Sequence, residues 1–312
     1  MKIVFQILFA LGLLWLLGSL GVFFAVFYYA NNRDETHRLL AGAEYEPYYP
    51  QMRALIDGAL AIPCEEVWVR SYDGKKLFGR LYISAPEAPV FILFNGYKGN
   101  GIRDFCGGLQ LVLERGGNAL VVDQRSHGRS EGHLISFGIR ERRDVSVWVE
   151  AARRRFGEDR AVWLMGVSMG AATVLMAADL PMADNVRGIW ADCPYAVPED
   201  VIVTKAASLG IPGARWMRPL LRTAARVYGG FRLRESSAKS AAASDGVPMA
   251  IIHGTGDHYV PVEMGRAIRD ANPARVRMTE VEGAPHALSL LVDPEGYRRA
   301  FDEFIRDTEE KR

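Results

Sequence analysis

Beyond residue 63 the chain alternates short apolar runs with amphipathic stretches, and that rhythm limits its fold more than any other feature. "APVFILFNG", "NALVVDQRSHG", "AVWLMG", "RGIWADCPY", "PMAIIHG" and "VRMTEVEG" read as strands, the first two as strands buried on both faces. "GGLQLVLERG", "GIRERRDVSVWVEAARRRFG", "AATVLMAADL", "EMGRAIRDA" and "PEGYRRAFDEFIRDTEE" read as helices. In the second of these, Val145, Trp148, Val149 and Ala152 share one helical face and the arginines take the other. Such alternation calls for an α/β fold, with a mostly parallel central sheet and helices on both faces. A hairpin precedes it: "EEVWVRSYDGKKLFGRLYIS" alternates apolar and polar residues around the turn pair Asp73-Gly74.

The N-terminus is different. Ile3 to Ala30 are 28 residues without a charge. A helix rises about 1.5 Å per residue, so roughly 20 apolar residues cross a bilayer core. The run is therefore read as a transmembrane helix, a retained single-pass anchor over residues 1–30. A secretory signal has an apolar region of only about 7–15 residues, and "FFAVFYYANN" is a poor cleavage site. A cleaved signal and a buried soluble helix are the competing readings. Tyr28 and Tyr29 fall where an interfacial aromatic belt belongs. Lys2 flanks one end; Arg33 and Arg38, diluted by Asp34 and Glu35, flank the other. The expectation is a cytoplasmic amino terminus and an extracytoplasmic domain. Residues 31–62 read as a connector, with "EYEPYYPQ" fitting neither helix nor strand and one short helix in "MRALIDGALAIP". The folded domain then occupies 63–312.

A net charge of +1 and the lack of a Lys/Arg stripe argue against a nucleic-acid partner. Cys64, Cys106 and Cys193 are odd in number and widely spaced. They suit neither a disulfide framework nor a zinc site, although one disulfide stays open. No metal or organic cofactor is called for.

Within "VWLMGVSMGAATVLMAA", Ser168 stands between Gly166 and Gly170 at the junction of a strand and a helix. Glycines there permit a sharp turn that lifts the hydroxyl out of the sheet's C-terminal edge. The N–H of Met169 then points to where an oxyanion forms. A plain serine N-cap is the bland alternative. A serine hydroxyl needs a base and a group to orient that base. His286 lies after the last strand and Asp257 after the one before it, both at the same edge, and the order Ser168, Asp257, His286 suits a nucleophile elbow. Asp192, at another strand end, is a rival acid. The Gly-rich loop in "FILFNGYKGNG" offers a second oxyanion donor, the N–H of Tyr97 or alternatively of Lys98. That loop lacks the GxxxxGK[ST] pattern of a phosphate cradle. Asp123 and Arg125 read as bracing a turn by an ion pair with backbone bonds.

Residues 63 to 307 resemble an α/β-hydrolase-superfamily serine hydrolase, most of all the BEM46-like and monoglyceride-lipase-like branches. "FNGYKGN", "DQRSHGRSEG", "GVSMGA", "ADCPY", "HGTGDHYVP" and "GAPH" carry the resemblance. It implies the α/β-hydrolase fold, nucleophile Ser168, acid Asp257, base His286, and oxyanion donors Tyr97 and Met169. Asn95 replaces the histidine usual before Gly96, and His127 stands where glycine is common. Either change bears on the shape of the acyl pocket.

Residues 194–245 separate two strands by far more than the usual two to six residues. "VIVTKAASLG" and "RWMRPLLRTAARVYGGF" read as helices of a cap insertion, with Trp216, Met217, Leu220 and Leu221 as candidate walls of a substrate pocket. The expected activity is cleavage of an ester or thioester in a small or lipid-like acyl substrate, through an acyl-enzyme. An acyltransferase or peptidase using the same serine, and an anchored binding protein without catalysis, are the rivals.

Overall fold

The computed structural model describes residues 1–30 and 36–309. Arg33, Asp34 and Glu35, used above to orient the N-terminal run, lie outside the described residues, as do 310–312 at the end of the expected domain.

The strands are β1 (Glu65–Arg70), β2 (Lys76–Tyr82), β3 (Val90–Phe94), β4 (Asn118–Asp123), β5 (Val162–Val167), β6 (Val186–Asp192), β7 (Met249–Gly254) and β8 (Val276–Val281). They form one sheet in the order β1-β2-β4-β3-β5-β6-β7-β8. β2 runs antiparallel to β1 and β4; the remaining pairs are parallel. The expected hairpin turns at Asp73-Gly74, where the Gly74 N–H donates to the Ser71 carbonyl at 3.0 Å.

The helices are α1 (Lys2–Val22), α2 (Tyr49–Ala61), α3 (Gly101–Glu114), α4 (Glu141–Phe156), α5 (Met169–Ala177), α6 (Pro198–Ser208), α7 (Arg218–Thr223), α8 (Ala238–Ala243), α9 (Val262–Arg269), α10 (Ser289–Val292) and α11 (Pro294–Glu309). Alternate residues of a strand point to opposite faces, so each buried strand feeds two cores. Val90, Ile92 and Phe94 of β3 join α4, α5 and α9 on one side. Phe91 and Leu93 join α2, α3 and α11 on the other. Val145, Trp148, Val149 and Ala152 of α4 are all buried, as their spacing requires. Each fully buried large side chain of this kind stabilises by about 1.5–3 kcal/mol.

α1 continues through a π-helical turn, Phe23–Phe27. The helix is long and apolar enough to cross a membrane, a property that signal sequences share. It is not one physical unit. Residues up to Gly18 are exposed, whereas Ser19 is buried. Near this point the helix meets α7 and the turn Ala224–Tyr228. Trp15 Nε1 donates to Thr223 Oγ1 at 3.1 Å, and the Tyr228 hydroxyl donates to the Leu16 carbonyl at 2.9 Å. Phe27 is 0% exposed and meets the rings of Phe137 and Phe231 edge-on. The Ile135 N–H donates to the Phe27 carbonyl at 2.8 Å. Tyr28 stacks on His133 of the domain and stays exposed.

Part of the segment read as a connector is also docked. α2 packs on α3 and buries Ile56 and Ala59 completely. Between β6 and β7 lie α6, the turn Ala214–Met217, α7 and α8. α8 packs on α5 and α9 against the sheet, so the raised part of this insertion ends before Ala238. The three cysteines are free: Cys64 is exposed, and Cys106 and Cys193 are buried.

Candidate active site

β5 delivers Ser168 into a backbone conformation that side chains rarely adopt, φ +55° and ψ −114°. Two glycines make the turn possible. A Cβ at Gly170 would fall on the carbonyl oxygen of Phe94, and one at Gly166 on the backbone of Gly170. The Ser168 N–H donates to the Asp192 carbonyl at 2.8 Å, tying the elbow to the neighbouring strand end. The expected geometry for a lifted hydroxyl is thus present.

His286, in the loop after β8, brings Nε2 to 2.9 Å from Ser168 Oγ. Its Nδ1 lies 2.6 Å from Asp257 Oδ2, in the loop after β7. The other carboxylate oxygen, Oδ1, accepts the N–H groups of Tyr259 and Val260 at 2.9 and 2.7 Å. Burial pushes the Asp257 carboxyl up, but the electrostatic pull of His286, hydrogen bonds from His253 and His286, and the Val260 N–H outweigh it. They hold it well below the ordinary carboxylate range. Ionised Asp257 therefore accepts a hydrogen bond from Nδ1–H, which leaves Nε2 free to accept from the serine. Tyr259 stacks on the imidazole with ring centroids 5.0 Å apart.

The rival acid does not compete. Asp192 gives its backbone carbonyl to Ser168, and among the described residues its Oδ1 has no hydrogen-bond partner. Burial raises its pKa to about 6. Sequence reasoning missed a further histidine. His253 Nε2 donates to the Val260 carbonyl at 2.8 Å and lies 3.4 Å from Asp257 Oδ2. Its only signal in the chain was its position one residue from a strand end.

The two oxyanion candidates in the loop after β3 are separated by their neighbours. The Gly96 N–H is taken by Asp104 Oδ2 at 2.8 Å, and the Lys98 N–H by His127 Nε2 at 3.0 Å. Among the described residues no acceptor takes the N–H of Tyr97 or of Met169. The Lys98 alternative is thereby closed. The His127 ring also places Nδ1 at 2.8 Å from the Arg125 carbonyl. A carbonyl can only accept, so Nδ1 carries the proton and Nε2 is the acceptor for Lys98. Burial lowers the pKa of this imidazole and keeps it neutral. Asn95 braces the same loop, its Oδ1 accepting the Gln124 N–H at 2.9 Å.

Asp123 and Arg125 do not form the expected pair. Asp123 accepts the N–H groups of Gly101 and Arg129 at 2.8 and 2.9 Å. Arg125 instead donates to Asp144 at 2.6 and 2.7 Å and to Asp73 at 3.1 and 3.2 Å. The turn is braced by both residues separately, because the aspartate is consumed by backbone donors.

Ser168 borders two cavities. One, of about 110 Å³, runs past Tyr97, Arg103 and Tyr259 towards Leu39 and Met52. The other, of about 350 Å³, is walled by apolar side chains of the insertion and by the docked end of α1. Met217 and Leu221 line it. Trp216 and Leu220 do not. Trp216 is 75% exposed, and Leu220 turns to pack on the N-terminal helix at Gly18. The 3.6-residue period that places Met217 and Leu221 together sends their neighbours elsewhere.

The sheet order, the strand–elbow–helix turn and three converging side chains at one sheet edge define an α/β-hydrolase-fold protein. Residues 89–212 match the family model described as "alpha/beta hydrolase fold". The chain is 28% identical over 199 residues to the uncharacterized protein YqkD of Bacillus subtilis, a match covering 63% of this chain and 65% of the relative. It is 29% identical over 135 residues to the thiohydrolase aneE of Aspergillus aculeatus, covering 41% of each. The chain thus spans less than two thirds of the length of either relative. An esterase of Pyrococcus furiosus superposes with a TM-score of 0.64 at 22% identity, covering 80% of this chain and 93% of the esterase.

Proposed function

We propose that the protein is a membrane-anchored serine hydrolase that cleaves an ester or thioester of a small or lipid-like acyl substrate. One observation carries this reading: the unbroken chain of contacts from Ser168 Oγ through His286 to Asp257, at 2.9 and 2.6 Å. His286 takes the serine proton at Nε2 as Oγ attacks the carbonyl carbon. The N–H groups of Tyr97 and Met169 hold the oxyanion; removing one such donor costs roughly 3–4 kcal/mol. The imidazolium, balanced by Asp257, returns its proton to the departing alcohol or thiol. Water then repeats the cycle on the acyl-enzyme and frees the acid. The thiohydrolase and esterase likenesses favour ester or thioester over amide. The uncharged N-terminal run supports anchoring, and Lys2 beside the amino terminus favours a cytoplasmic end, with the domain on the extracytoplasmic side.

A fluorophosphonate probe tests the proposal. Wild-type protein is expected to label and Ser168→Ala is not. No labelling of wild type, with no ester or thioester turned over, overturns it.

A further inference from the structure

The larger cavity at Ser168 has an unusual wall. Val22, Ala25 and Val26, from the last turns of the N-terminal apolar helix, face Ile202, Met217 and Leu221 of the insertion across it. We infer that this helix end belongs to the substrate site: the acyl chain of a membrane lipid ester lies between residues 22–26 and the insertion, with its carbonyl at Ser168. The inference rests on the ester-hydrolase reading above and narrows it, replacing a small soluble ester with a bilayer lipid.

Three further observations support it. The first is length. The exposed stretch, Lys2 to Gly18, spans about 25 Å at 1.5 Å per residue, its last turn from Trp15 onward already touching the insertion. A bilayer core is about 30 Å thick. A helix that crosses it brings its docked end, and what packs there, to the membrane surface. The second is the surface so placed. Leu209 and Ile211, which border the cavity, are exposed, as are Trp216 and Val227. The Arg215 guanidinium sits 5.4 Å above the Trp216 ring. Apolar and aromatic groups beside arginine suit the lipid headgroup boundary. The third is a direct link to the chemistry. The Tyr97 hydroxyl donates to the Val26 carbonyl at 3.0 Å, so the residue whose N–H faces the developing oxyanion is also fastened to the helix end.

The test uses the full chain in phospholipid nanodiscs. The ratio of kcat/KM for p-nitrophenyl palmitate to that for the butyrate is measured in wild type, Val22→Trp and Leu8→Trp. Val22→Trp is expected to lower the ratio about tenfold by filling the cavity. Leu8→Trp, on the free part of the helix, is expected to leave it unchanged. An unchanged ratio in Val22→Trp overturns the inference. A second readout needs neither catalysis nor a folded variant. Palmitic acid carrying a mid-chain diazirine is photolysed with the wild-type chain, and the adducts are mapped by mass spectrometry. Adducts on residues 19–30 support the site even if Ser168 fails to label, which would sink the hydrolase reading alone. Adducts confined to residues 2–18, or absent from 19–30, sink the site alone.

Discussion

At the scale of single residues, two buried carboxylates at the same sheet edge are driven in opposite directions by their neighbours. Asp257 has two N–H donors and two histidines and stays ionised. At Asp192 burial outweighs the two histidines, Tyr297 and Cys193 beside it, and its pKa rises from 3.8 to about 6. The sign follows from proton counting. Between those values the native carboxyl binds a proton that the unfolded chain does not, so this stabilisation is complete below 3.8 and lost as pH rises through about 6. The interval is worth about 3 kcal/mol. Asp192→Asn is therefore expected to flatten the stability curve between pH 4 and 7, by urea melts, while kcat/KM falls less than tenfold. A kcat loss approaching the roughly 10⁴-fold typical of a triad acid would make Asp192 the orienting group instead.

At the scale of elements, the site is held by two tight turns. The elbow exists because Gly166 and Gly170 let α5 press against the end of β3, where any Cβ meets backbone. The loop after β3 is held from outside by His127, whose neutral ring takes the Lys98 N–H. Lys98 sits at φ +53°, a conformation with a steric cost that this bond helps to offset. His127→Leu is expected to lower kcat about tenfold to a hundredfold with KM nearly unchanged, since the Tyr97 donor is displaced in the transition state. His127→Gln, whose Oε1 can replace Nε2 as acceptor, is expected to recover most of it. Equal loss in both variants would remove His127 from the oxyanion loop's support.

At the scale of the whole molecule, the N-terminal run is two things in one helix: an exposed apolar rod to Gly18, and a docked end that buries Phe27. Removing a buried Phe costs about 3–5 kcal/mol. Deleting residues 1–30 is expected to lower Tm by roughly 10 °C relative to deleting 1–18, in calorimetry on detergent-free domain. Equal Tm values would show the docked end to be dispensable. The α/β layers, the hairpin at Asp73-Gly74 and the order Ser168, Asp257, His286 were legible in the chain, because each depends on local pattern or on which strand a residue follows. Period and turn chemistry act over a few residues, and a parallel sheet then carries strand ends to one edge without further information. What the fold alone decided depends on contacts between distant segments. Lys98 lost its N–H to a histidine 29 residues away, Asp123 and Arg125 took separate partners, Trp216 turned outward, and the end of an apparent anchor became a cavity wall. No local pattern encodes which of several competing donors and apolar faces comes to lie within reach; the packed tertiary structure settles that.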